Sequence, residues 1–160
     1  APGCPADPCR LDPTAQGCGP VDSCALNPSL PGCKAPGPDC SVLPKPVECL
    51  DREYFTANVL PIFKEKCEEC HKPSGQAWST TLLPLEPLLA WDSLVNIASR
   101  EMLPPKPRML RVKPGMPDSS YLYTKVAVKT PPVGGRMPLN KTALTTTEIE
   151  TIRIWITGKP

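Results

Sequence analysis

At 160 residues the chain has room for one ordinary domain and an appendage. Its 18 basic and 16 acidic residues leave a net charge of +2, too balanced to point to nucleic acid as a partner. No apolar run is long enough to span a membrane as a helix. The opening Ala1-Pro2-Gly3 carries no charged or apolar leader, so a mature form freed of its signal peptide is the expectation.

Composition changes near residue 50. Residues 1–49 hold 11 of the 24 prolines and seven of the nine cysteines, with almost no aromatic or β-branched residues. Such a segment buries little apolar surface, so crosslinks must order it. A repeat runs through it: Cys9, Cys24 and Cys40 each open a C-x8-C unit, closed by Cys18, Cys33 and Cys49. In each unit Leu11, Leu26 or Val42 is followed two places later by Pro13, Pro28 or Pro44. An aspartate (Asp7, Asp22, Asp39) stands just ahead of each opening cysteine. Pairing within units leaves Cys4 over. An offset set, Cys4–Cys9, Cys18–Cys24 and Cys33–Cys40, leaves Cys49 over instead. The segment reads either as a stabilised tether or as an assembly element that crosslinks to another copy.

Residues 51–66 are expected to form a helix with Tyr54, Phe55, Val59, Ile62 and Phe63 on its apolar side and a kink at Pro61. It leads into Cys67-Glu68-Glu69-Cys70-His71. A C-x-x-C-H is the attachment signature of a c-type haem: the thiols form thioethers and the histidine ligates the iron. His71 is the only histidine in the chain, so a second histidine ligand from this protein is excluded. Zinc would need further ligands, and nothing after His71 is Cys or His. A thioredoxin-type dithiol would need a βαβ context, which is missing. Covalent haem and the cysteine density agree on an oxidising compartment, periplasmic or extracellular.

Lys72-Pro73-Ser74-Gly75 ends the helix, and 76–86 reads as loop. A second amphipathic helix is expected over 87–100, with Leu88, Leu89, Trp91, Leu94, Val95 and Ile97. Trp91 is a candidate cover for haem or a propionate, and equally a core residue. Residues 102–117, with five prolines and three methionines, read as loop. Asp118 is placed to cap a short helix through Val126, and a loop follows over 129–139. In the last helix Thr145 and Glu148 make a capping box, Leu144 and Ile149 a staple, and Ile149, Ile152, Trp155 and Ile156 one apolar face ended by Gly158. That helix is expected to pack across the one entering the C-x-x-C-H.

With His71 used, the remaining soft donors are Met102, Met109, Met116 and Met137, of which Met116 and Met137 both precede proline. The succession Val59-Leu60-Pro61-Ile62-Phe63, Cys67-x-x-Cys70-His71, Pro114-Gly115-x-Pro117-x-Ser119-Ser120-Tyr121-Leu122, Arg136-Met137-Pro138-Leu139 and Leu144-Thr145-x-x-Glu148-Ile149-x-x-Ile152-x-x-Trp155-Ile156 resembles a class I-type monohaem cytochrome c domain. It is closest to the planctomycete-type variety. The resemblance covers residues 50–160 and leaves the repeat of residues 1–49 unassigned. It implies an all-α domain around one covalent haem c, with Met137 as the distal ligand. Arg136 beside it is a candidate partner for a propionate, and equally a solvent-facing arginine.

A His71/Met137 haem leaves no open position for substrate, so electron transfer between redox proteins is expected, not catalysis. From residue 50 the chain holds 15 basic and 11 acidic residues, enough for mild steering of an acidic partner. The alternatives are a subunit of a haem-bearing fibre assembled through the cysteine-rich segment, and a five-coordinate haem sensor or peroxidase-like enzyme in which Met137 does not bind.

Overall fold

Asp51 starts the first helix by accepting the Tyr54 N–H on its carboxylate at 2.9 Å. The computed structural model describes residues 37–101 and 108–158, and everything below concerns these. The helical run 52–66 (α1) consists of Arg52–Tyr54, a π-helical stretch Phe55–Val59, and Leu60–Lys66. Pro61 does not end it. The Leu60 N–H reaches back five residues to the Phe55 carbonyl, which shifts the hydrogen-bond register just before the residue that has no donor. Phe55, Val59 and Phe63 are buried, with Tyr54 and Ile62 packed against them.

Four further helices follow: α2 (Trp78–Thr81), α3 (Ala90–Leu94), α4 (Tyr121–Ala127) and α5 (Thr146–Thr157), with a 3-10 turn at Pro117–Ser119 before α4. The described residues contain no strand, only two isolated bridges, Val95 with Val112 and Ala98 with Leu110, so the fold is all-α. The helix expected over 87–100 is confined to Ala90–Leu94. Val95 turns extended, Asn96 takes a positive φ of 57°, and the segment through Ser99 pairs with 109–112. β-branched Val95 and Ile97 favour that extended path. Asp118 does not cap α4. Ser120 holds the N-cap position, and its hydroxyl donates to the Met116 carbonyl at 2.9 Å instead of turning back on the helix.

Helix α5 begins with the full capping box. The Glu148 N–H donates to Thr145 Oγ1 at 3.2 Å and the Thr145 N–H to Glu148 Oε2 at 2.7 Å. It packs across α1: Trp155 and Phe55 ring centroids are 4.7 Å apart, and Trp91 closes the cluster at 5.3 Å from Phe55 and 5.8 Å from Trp155. Aromatic pairs at these spacings add packing energy beyond the area they bury.

The chain divides after Gly37, so the third C-x8-C unit belongs with the helices rather than with the preceding segment. Cys40 is bonded to Cys49, as within-unit pairing requires, which rules out the offset Cys33–Cys40 bridge. Cys49 is buried, and the Lys45 N–H donates to the Pro114 carbonyl at 3.0 Å. The first two repeat units and Cys4 lie outside the described residues.

Candidate functional site

The C-x-x-C-H extends α1 by one turn. The Cys67 N–H donates to the Phe63 carbonyl at 2.8 Å and the His71 N–H to the Cys67 carbonyl at 3.0 Å. The chain then folds back: the Ala77 N–H bonds the Cys70 carbonyl at 3.0 Å, and the Leu85 N–H bonds the His71 carbonyl at 2.7 Å. Gly75 makes this return possible. A Cβ there would stand 2.3 Å from the Cys70 carbonyl oxygen.

Cys67, Cys70 and His71 form part of the wall of a cavity of about 560 Å³. That lies within the ~300–1,000 Å³ usual for cofactor and ligand sites. Leu83, Leu85, Leu94, Leu122 and Val126 supply apolar wall, and Met137 joins it from the loop 129–139. Met109 and Met116 are not on this wall, and Met102 lies outside the described residues. Trp91 is not on it either; it is core, with the Arg52 guanidinium 4.5 Å from its ring centroid. Arg136 also stands off the wall, its Nε donating to the Val126 carbonyl at 2.8 Å.

Three buried side-chain polar atoms among the described residues find no hydrogen-bond partner: Glu68 Oε2, His71 Nδ1 and Trp155 Nε1. Two of the three belong to the C-x-x-C-H. Glu68 is thus half-buried rather than exposed like Glu69, whose carboxylate meets Lys72 at 3.6 Å. Burial holds the His71 pKa below its ordinary value, against a smaller opposing effect of the Leu83 backbone. The imidazole is therefore neutral near pH 7, the form that donates a lone pair to a metal.

Cys67 and Cys70 are free thiols. Burial, reinforced by the neighbouring Cys70, pushes the Cys67 thiol up to about 12. A redox dithiol needs the opposite shift, so this pair is poorly suited to disulfide exchange. Zinc fares no better among the described residues, since Cys40 and Cys49 are joined to each other.

The sequence reading missed the charged part of the wall. Arg111 is buried and spends its guanidinium on backbone: Nη1 donates to the Ser93 carbonyl and Nη2 to the Thr81 carbonyl, both at 2.7 Å. Lys125 is buried as well, 3.5 Å from Glu101, which also accepts from the Tyr121 hydroxyl. Lys125 had a legible signal, because it stands four residues after Tyr121 on the inward face of α4, where an apolar residue is the norm. Arg111 had none, since its partners come from carbonyls 18 and 30 residues away.

No family model, no curated protein and no solved structure matches the chain.

Proposed function

We propose that this chain is an exported electron-transfer protein carrying one covalent haem c. The observation that carries the reading is the cavity. The chain's only histidine and the Cys67 and Cys70 thiols line it, and Met137 lines the same space. The residues fit the group. Cys67 and Cys70 would hold it through thioethers, and the neutral His71 imidazole and the Met137 thioether would ligate the metal. When bound, the group supplies one-electron cycling between ferric and ferrous iron. The chain contributes apolar wall, and Lys125 and Arg111 line the same cavity, their cationic groups held by Val133 and Glu101 and by the Ser93 and Thr81 carbonyls. Were His71 and Met137 both to ligate the iron, no position would be left for a substrate, which favours electron transfer over catalysis. The mild excess of basic residues suits acidic redox partners.

Intact mass under non-reducing conditions tests this directly: the expected mass is the polypeptide plus one haem. The ferric spectrum then identifies the ligand. A sulfur-to-iron charge-transfer band is expected, lost in Met137→Ala and kept in Met116→Ala. A bare polypeptide mass from cells competent in haem attachment overturns the reading. A ferric protein without that band leaves a five-coordinate sensor or peroxidase-like haem instead.

A second reading has one observation of its own. With Cys40–Cys49 closed and Cys67 and Cys70 committed to haem, five cysteines remain, an odd number. One of them is then a free thiol or a bridge to another copy. Covalent multimers on non-reducing gels would support assembly through the N-terminal segment, and light scattering that finds only monomers would sink it.

A further inference from the structure

We infer that Lys125 and Arg136 are positioning residues that clamp the Met137 loop to the end of α4; this rests on the reading of Met137 as an iron ligand. The loop 129–139 contains three prolines and two glycines and forms no helix or strand, so it has no regular structure to fix where Met137 sits. What fixes it is the last turn of α4. A helix leaves its final carbonyls without intrahelical donors. Here the Met137 N–H donates to the Lys125 carbonyl and Arg136 Nε to the Val126 carbonyl, both at 2.8 Å. The loop therefore caps the helix, and the arginine adds a positive charge at its C-terminal end, where the dipole favours one.

A third bond holds the loop from inside. Lys125 Nζ donates to the Val133 carbonyl at 3.0 Å, with Glu101 beside it at 3.5 Å. Gly134, at φ +65°, makes room: a Cβ there would stand 3.0 Å from the ammonium. An apolar residue at 125 would fill the inward face of α4 without the cost of desolvating a charge. The ammonium instead ties Val133, so the loop is gripped on both sides of the Gly134-Gly135 pair.

The test uses the full chain with haem attached. The charge-balanced pair Lys125→Leu/Glu101→Gln, and separately Arg136→Gln, are compared with Lys129→Gln, which removes an exposed charge from the same loop. Added imidazole competes with Met137 for ferric iron. Each clamp variant is expected to bind it about tenfold more tightly, the factor of one charge-assisted hydrogen bond, and to show a weaker charge-transfer band. Covalent haem and helical content should stay as in the parent. Lys125→Gln keeps a donor for Val133 and is expected to restore most of the band; if the double variant fails to fold, Arg136→Gln carries the test. Imidazole affinity unchanged in the clamp variants, while Met137→Ala raises it, overturns the clamp. Should the parent carry no haem, the functional reading falls alone. The clamp is then read from hydrogen exchange at the Met137 amide, expected to be at least about tenfold faster in the variants, and an unchanged rate overturns it.

Discussion

Two sides of the helical body are built to different standards. Where α1 crosses α5, the rings of Phe55, Trp91 and Trp155 pack against one another, and Ile152 and Ile156 are fully buried. Where α1 ends, the chain borders a cavity of about 560 Å³ whose wall includes His71, Cys67, Cys70 and the buried Arg111 and Lys125. Protein interiors are packed like organic crystals, with few voids larger than a water. A hollow of this size beside a close-packed cluster in the same small body is space that side chains leave unfilled, which is what the proposed haem requires. The filled side holds the chain together, and the hollow side carries the residues on which the proposed function rests.

Substitutions separate the two sides. Trp155→Ala on the filled side should have the largest effect, a loss of about 3–5 kcal/mol in urea unfolding, because the cluster around it cannot collapse into the gap. A loss under 1 kcal/mol would mean that this side is not tightly packed. Next comes the Cys40–Cys49 bridge, which buries Cys49 beside Leu50 of the core. Opening it in Cys40→Ala/Cys49→Ala should cost roughly 2.5 kcal/mol from loop entropy, while leaving the ferric spectrum unchanged. A spectral change would show that the bridge also shapes the cavity.

On the hollow side the same kind of truncation should behave differently with and without cofactor. Leu122 is only partly buried and lines the cavity. In the chain without haem, Leu122→Ala should cost about 1 kcal/mol, the transfer term of atoms that already border open space. With haem in place the wall gains a neighbour, and the cost should rise toward the ~2–5 kcal/mol of a buried leucine. Equal losses in the two forms would mean that Leu122 does not touch the cofactor.

What the residues announced in advance follows the same division. The filled side was legible because its signals are local: the capping box at Thr145 and Glu148, the apolar spacing of α5, and the phenylalanines of α1. The C-x-x-C-H stood out because its pattern is contained in five consecutive residues, and its cysteines and histidine meet on one cavity wall. The loop and charged parts of the cavity were not legible. Val95–Ser99 left the helical pattern to pair with 109–112, a contact that no local periodicity encodes. Trp91 was left open between covering haem and joining the core, and Arg136, beside Met137, between a propionate and solvent. The fold uses Trp91 in the core cluster, as one alternative had it, and Arg136 to cap α4, which neither alternative foresaw. Arg111, Lys125 and Glu101 meet only because distant segments converge on the cavity.

The smallest expected effect concerns the polar edge of the hollow. Burial, with the Glu101 carboxylate accepting its hydroxyl, raises the Tyr121 pKa above its ordinary value of 10.0. Above pH 10 the unfolded chain loses this proton while the folded chain keeps it, so the unfolded state binds fewer protons and stability falls as pH rises. The contribution is fully present below pH 10, and its slope cannot exceed about 1.4 kcal/mol per pH unit for one group. Partial exposure of the site will reduce it further. Lysines titrate in the same range, so the useful quantity is a difference. Between pH 9 and 11 the parent should lose stability more steeply than Tyr121→Phe, whose ring keeps the packing but has no proton to release. Parallel pH profiles would show that Tyr121 is as free to ionise in the folded protein as in water, and that the polar edge is more open to solvent than its contact with Glu101 implies.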